Sequence, residues 1–406
     1  MRLAEVSDFG EMVLVVAAAL LVALFSSRLS TRLRIPAAAV LLVGAAVASD
    51  IAPRLGTTVS IHDVTRIGVV ALIVILFDGG MDLGWKSVRP SLGPILGLGI
   101  VGTFVTAGLM AAAAHYALGF DWVPAAVIGT ALSPTDPAVM FSVLGEHGPQ
   151  GRVGTILAAE SGANDPVGIA LMIGVLSAVS HPGHSHLLVA ADVGWQMLVG
   201  AIVGGVGAFV AMRVLTWVTP PFNRLDPITA LAAAGVIYGV AAVLDGSGFL
   251  AVFVAGLLLG DTSAIEQGDA VREFHSQLAS VAELVVFVGL GLTVSLQTLD
   301  LGTVIGDGVA LAAILILIAR PAAVAGLLWP ARLRRGEKVF IGWLGLRGAV
   351  PILLAAFAVD EHVQQGHTVY GIVFVVVTVS VLIQGSLIEW VAHRVGVGIG
   401  PTPDQL

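Results

Sequence analysis

About thirteen apolar runs, most of them near the length of a bilayer-spanning helix, divide this chain. They fall at about 10–29, 35–52, 64–80, 91–118, 122–145, 152–178, 190–217, 227–245, 248–262, 277–297, 302–328, 338–357 and 367–393. None shows the period-2 alternation of a barrel strand, and in hydrocarbon only a helix or a closed barrel satisfies its own backbone. The fold class is therefore an all-α polytopic membrane protein. A water-soluble alternative is excluded because 57% of residues are hydrophobic and only 11% charged, against roughly 25% charged in soluble domains. The absence of cysteine removes disulfides, thiolate metal sites and cysteine nucleophiles. A net charge of -8 offers no attraction to nucleic acid. Glu5, Asp8 and Glu11 precede the first run, which is not the basic start of a cleaved leader, so that run is read as a retained helix.

Charge placement tests the count. With the N-terminus outside, inward-facing connections collect Arg28, Arg32, Arg34, Lys86, Arg89, Arg152, Arg213, Arg224, Arg272, Arg332, Arg334, Arg335, Lys338 and Arg394. The outward side keeps Arg2, Arg54 and Arg66, an asymmetry of about fourteen to three in the sense of the positive-inside rule. The chain is thus expected as a multi-pass protein of the inner (plasma) membrane, with its C-terminus cytoplasmic. The outward segment His181-Pro182-Gly183-His184-Ser185-His186 reads as a solvated loop rather than a metal site, since Pro and Gly interrupt its histidines. Asp261 to Glu273 reads as the most polar inward connection. Runs 91–118 and 302–328 exceed the roughly 20 residues a span needs and are expected to tilt. Gly200, Gly204, Gly205 and Gly207 read as helix-packing positions.

Six helices, a linker helix and six more suit an inverted repeat: about 10–178, then 190–217, then 227–393, forming one transmembrane transporter domain. The halves share a positional echo. The fifth run is interrupted by Ser133-Pro134-Thr135-Asp136-Pro137 and the twelfth by Leu346-Arg347-Gly348-Ala349-Val350-Pro351. Proline lacks an N–H and clashes with the carbonyl four residues back, so Pro134 frees the carbonyl of Thr130, Pro137 that of Ser133 and Pro351 that of Arg347. Freed carbonyls at membrane depth need partners, and discontinuous helices that line an ion site supply them.

The ionisable residues read as intramembrane are Asp78, Asp136, Glu160, Asp165, Arg320 and Arg347. Each is costly in lipid, so they are expected to face one another or a water-filled cavity. On the sixth run, Glu160 and Asn164 stand four apart, as do Ser161 and Asp165, so all four project to one side. Pro166 removes the N–H that would meet the carbonyl of Gly162. Asp165, Asp136, Ser161, Asn164 and loose carbonyls make a set of hard oxygen ligands, which suits an alkali cation better than a transition metal or an organic substrate. Glu160 with an arginine would form a buried ion pair, a structural role; spacing leaves Arg320 and Arg347 both open as its partner. For Arg347 the broken helix suggests electrostatic balance of the crossover. Asp78 either lines an inner funnel or reaches interfacial water.

Glu160-Ser161-x-x-Asn164-Asp165, the Thr135-Asp136-Pro137 break and Gly345-Leu346-Arg347-Gly348-Ala349 together resemble the NhaP-type monovalent cation/proton antiporters, which include the sodium/proton exchangers. The resemblance covers essentially the whole chain. It implies thirteen helices, crossed discontinuous helices five and twelve, an elevator-like core and a dimerisation domain, hence a homodimer. It also implies a cation held by Asp165, Asp136 and Ser161 with the Thr135 carbonyl, supported by Asn164, and a Glu160–Arg320 pair. The Phe77-Asp78-Gly79-Gly80 and 346–351 stretches look closer to the potassium/proton branch than to the sodium branch. Members of that branch often carry a cytosolic regulatory domain. This chain stops about a dozen residues past Arg394, so that domain is expected to be absent or removed.

The partners implied are membrane lipid, an alkali cation (K+ or Na+) and the proton. No cofactor and no catalytic residue is expected, so the chain is not read as an enzyme. A carboxylate in a half-dry cavity is less costly neutral than charged, so a proton and a cation compete for Asp165. With Asn164 where a second acid would bring a second charge, exchange is expected to be electroneutral, one for one. A cation channel is disfavoured by the lack of a filter signature, and an anion transporter by the excess of acids. An aspartyl protease needs two carboxylates about 3 Å apart, which nothing here sets.

Overall fold

The computed structural model describes residues 36–52, 60–136, 140, 144, 148–149, 151–180, 186–218, 226–261, 268–297 and 301–399. The first apolar run, Pro137 and residues 181–185 lie outside these. The elements are α1 (Ala37–Ile51), α2 (Ile61–Leu83), α3 (Trp85–Leu118), α4 (Trp122–Ala131), α5 (Arg152–Ser180), α6 (His186–Val218) and α7 (Asp226–Val243). Then follow α8 (Gly248–Leu259), α9 (Gly268–Leu292), α10 (Leu301–Ile314, continued through Arg320–Leu327), α11 (Arg335–Trp343), α12 (Ala349–Asp360), α13 (Gly366–Ser386) and α14 (Ile388–Val395). Among the described residues, seven helices are long and apolar enough to cross a membrane, and α1, α4, α7, α8 and α12 contain shorter apolar helices.

Local chemistry sets the ends of α2. The Ser60 hydroxyl oxygen accepts from the Asp63 N–H at 3.1 Å, capping the start. Gly84 ends the helix at φ 64°, a conformation that favours glycine. The next turn is held by Asp261, whose carboxylate accepts from the Lys86 N–H at 2.6 Å. Along α2, Gly80 faces the Phe253 carbonyl of α8 so closely that a Cβ would stand 2.5 Å from it. Small residues let the two backbones touch at Gly80 and Gly256.

Contacts sort the helices into two panels. In one, α1, α2, α8 and α9 pack together, with α6 and α7 against α8; in the other, α3 joins α4 and α5, and α13 joins α10 and α12. The panels meet where α5 touches α6, α2 and α8, where α12 touches α2 and α9, and where α13 touches α1. At this seam Gly162 of α5 lies under the Phe253 ring, and Gly68 of α2 under the Leu353 side chain.

Several sequence expectations are corrected. The tenth run begins at Gly268, not near 277, so residues 268–273 are helix rather than connection. Val271, His275 and Ala279 are buried at a spacing of four, a one-sided stripe that a search for continuous hydropathy passes over. The expected interruption of the twelfth run is present, at non-helical residues 344–348, but Pro351 stands in the first turn of α12, where its missing N–H costs nothing. Proline therefore begins this helix instead of breaking one. The thirteenth run divides at Leu387. The two long runs each contain a π turn, Gly97–Gly102 and Leu315–Ala319. Gly200 and Gly204 admit α8 and Gly207 admits α7, whereas Gly205 faces open space.

Candidate functional site

Helix α4 stops at Ala131, and residues 134–136 run on without helical bonding. The Thr130 carbonyl, deprived of a donor by Pro134, accepts instead from the Ser133 N–H at 3.1 Å and the Ser133 hydroxyl at 2.8 Å. The Ser133 and Pro134 carbonyls accept from Arg347 Nη1 at 3.2 and 2.6 Å. Arg347 is fully buried, and its Nε and Nη2 have no hydrogen-bond partner. A side-chain donor from the second break thus replaces backbone donors lost at the first.

Thr135 is held from α5. Its carbonyl accepts from the Ser161 hydroxyl at 2.6 Å and its hydroxyl from Asn164 Nδ2 at 2.7 Å, while its N–H donates to Asn164 Oδ1 at 3.3 Å. Asn164 therefore spends both ends of its amide on Thr135. The Asp136 N–H donates to the Leu346 carbonyl at 2.9 Å, tying one break directly to the other.

Asp165 is left open within this frame. It is buried, and its Oδ1 has no hydrogen-bond partner. Asp136 and Arg347 both lie within electrostatic reach of it. Ser161 and the Thr135 carbonyl bond each other yet keep lone pairs, so the Asp165 carboxylate, a hydroxyl and a carbonyl, with Asp136 beside them, form a set of hard oxygen donors.

Glu160, one turn earlier on α5, meets Arg320 of α10 in a fork: Nη1 donates to Oε1 and Nη2 to Oε2, the latter at 2.9 Å. Nη2 also reaches the Ile341 carbonyl at 3.3 Å. Both side chains are buried. Asp78 is buried as well, with Oδ1 unpartnered, on α2 across the seam and beside Asp82.

Sequence reasoning passed over three residues here. Glu283 of α9 lies within electrostatic reach of Asp136, and it met the test applied to the others: an acid inside an apolar run. Ser380 and Gln384 of α13 are buried against the second break. Neutral and dispersed in an apolar run, they carried no comparable signal.

Gly348 gives the site a tight wall. A Cβ there would stand 1.6 Å from Asp136 Oδ2, closer than any contact allows. Gly348→Ala is expected to displace the Asp136 carboxylate and weaken cation affinity at least about tenfold. Cation titration of proteoliposomes checks it; parental affinity would show that Asp136 is not a ligand.

The family model described as "Sodium/hydrogen exchanger, transmembrane" matches residues 16–394. The chain belongs to the sodium/hydrogen exchanger family. It is similar to a K(+)/H(+) antiporter NhaP of Alkalimonas amylolytica, 36% identical over 80% of this chain and 57% of that protein. It is also similar to a K(+)/H(+) antiporter NhaP2 of Shewanella oneidensis, 31% identical over 82% of this chain and 58% of the relative. The chain therefore spans just under three fifths of those relatives. A Na(+)/H(+) antiporter NhaH of Halobacillus aidingensis is 26% identical, covering 80% and 82%. Among solved structures, the sodium proton antiporter MjNhaP1 of Methanocaldococcus jannaschii superposes with a TM-score of 0.81 at 20% identity, covering 96% of this chain and 99% of that one. At that identity the likeness concerns the fold. This chain thus has the fold of a multi-pass helical membrane protein of the sodium/hydrogen exchanger family.

Proposed function

We propose that this chain exchanges a monovalent alkali cation for H+ by alternating access, with Asp165 as the group on which proton and cation compete. The observation that carries this reading is the buried, unpartnered Asp165 oxygen beside two helix breaks, of which the Ser133, Pro134 and Thr135 carbonyls are held by Arg347 and Ser161. The α3–α5 and α10–α13 panel would carry the site past the other panel, since the hydrogen bonds that frame Asp165 join residues of that panel to one another. In this reading Asp136, Ser161 and the Thr135 carbonyl complete the ligand set, Asn164 supports it, and Asp78 lines the approach. Thirteen helices in two inverted repeats, an inner-membrane homodimer and a cytoplasmic C-terminus belong to the same proposal. Two relatives named for K+/H+ exchange favour potassium as the cargo.

The test is pH-gradient dequenching in proteoliposomes, with K+, Na+, Li+ and Rb+ titrated separately. Exchange is expected with K+ or Na+, at a rate that an imposed membrane potential leaves unchanged. One carboxylate neutralised by either ion carries the same charge in both directions, so voltage has nothing to act on. Strong voltage dependence would refute the one-for-one stoichiometry; absence of exchange with every cation would refute antiport.

A further inference from the structure

The second break, residues 344–348, leaves helix α11 with open carbonyls and places an N–H, that of Arg347, outside any helix. Away from water such groups must find donors and acceptors from elsewhere in the protein. Two neutral side chains of α13 supply part of them. Gln384 Nε2 donates to the carbonyl of Trp343, the last residue of α11, at 2.5 Å, beside the Gly345 N–H that the same carbonyl accepts at 2.9 Å. Gln384 Oε1 accepts from the Ser380 hydroxyl at 2.6 Å, and the Ser380 oxygen in turn accepts from the Arg347 N–H at 3.3 Å. Carbonyl 343 can only accept, so it fixes which end of the Gln384 amide faces it, and the other end must face Ser380. Both side chains are at most 1% exposed, so water does not substitute for them.

The segment they hold touches the site at three places. The Leu346 carbonyl accepts from the Asp136 N–H, Arg347 Nη1 takes the Ser133 and Pro134 carbonyls, and Gly348 lies against the Asp136 carboxylate. We propose that Gln384, acting through Ser380, is a positioning residue of the transport site: it bridges the two sides of the second break and so sets where Asp136 stands. Gln384 does not contact the cation. Its amide is suited to the task because one side chain must donate to one backbone group and accept on behalf of another. Leucine would do neither, whereas a neutral glutamic acid does both.

The inference rests on the antiport reading, so Asp165→Asn is run alongside. In proteoliposomes Gln384→Leu is expected to raise the cation KM about tenfold while the maximal rate per folded molecule stays within about twofold, a split that loss of folded protein does not produce. Ser380→Ala is expected to shift KM in the same direction by less, and it serves if Gln384→Leu does not fold. Gln384→Glu is expected to restore a near-parental KM at the acid end of the range, where the glutamic acid is neutral. A parental KM in whichever of Gln384→Leu and Ser380→Ala folds, or a Gln384→Glu variant as displaced at acid pH as Gln384→Leu, would overturn the role of Gln384. If Asp165→Asn itself still exchanged, the antiport reading would fail instead.

Discussion

Asp165→Asn is expected to give a protein that folds and extracts as the parent does but shows no cation/proton exchange above the background of empty vesicles. The two halves of that expectation have different causes. Asp165 Oδ1 makes no hydrogen bond, so an isosteric amide there removes no bond at that oxygen. It relieves the repulsion between Asp165 and Asp136 and forfeits the attraction between Asp165 and Arg347, two opposed changes. The thermal midpoint should therefore change little. Exchange should vanish because an amide neither takes up a proton near neutral pH nor balances a cation's charge. Without those two alternatives the carrier has nothing to exchange. Dequenching and thermal unfolding on the same preparation check both halves. Exchange at the parental rate would remove Asp165 from the centre of the site, and a large fall in midpoint would mean that its carboxylate has a structural partner.

The parts of the site legible in the sequence are those whose cause is local. Pro134 beside Asp136 announces a broken helix because proline's missing N–H acts within four residues. Glu160, Ser161, Asn164 and Asp165 announce a shared face because helical geometry relates residues four apart. Partners across helices are not local. Either arginine satisfied what could be said of Glu160 from spacing, and only the approach of α10 to α5 brings Arg320 to it. Arg347 is a sharper case. Its charge suggested electrostatic balance, but its Nη1 serves as a backbone donor for the break in the other half of the chain. Ser380 and Gln384 show the limit most clearly, since a hydroxyl and an amide inside an apolar run look unremarkable until the facing element is known to be a break. Glu283 was legible and overlooked.

Glu160→Gln is expected to destabilise the protein by about 3–5 kcal/mol, the scale on which a buried ion pair responds when one partner is removed. The reason lies with what remains. Arg320 would stay charged and buried, with Nε already unpartnered and only neutral acceptors left to it, the new amide's oxygen and the Ile341 carbonyl. Arg347 lies within electrostatic reach of Arg320, so Glu160 screens two like charges and not one. Arg320→Met alone should also cost several kcal/mol, because it strands the carboxylate. Joining Glu160→Gln to Arg320→Met should recover most of that loss, since the stranded charge is gone in the double variant. Thermal or denaturant unfolding of the four proteins gives the coupling directly. Exchange per folded molecule should be largely retained in Glu160→Gln, because the ligands of the proposed site hang from Asp165, Asp136 and Thr135. If Glu160→Gln kept its stability and lost exchange, Glu160 would belong to the transport path, and the division of α5 into a structural turn and a carrier turn would be wrong.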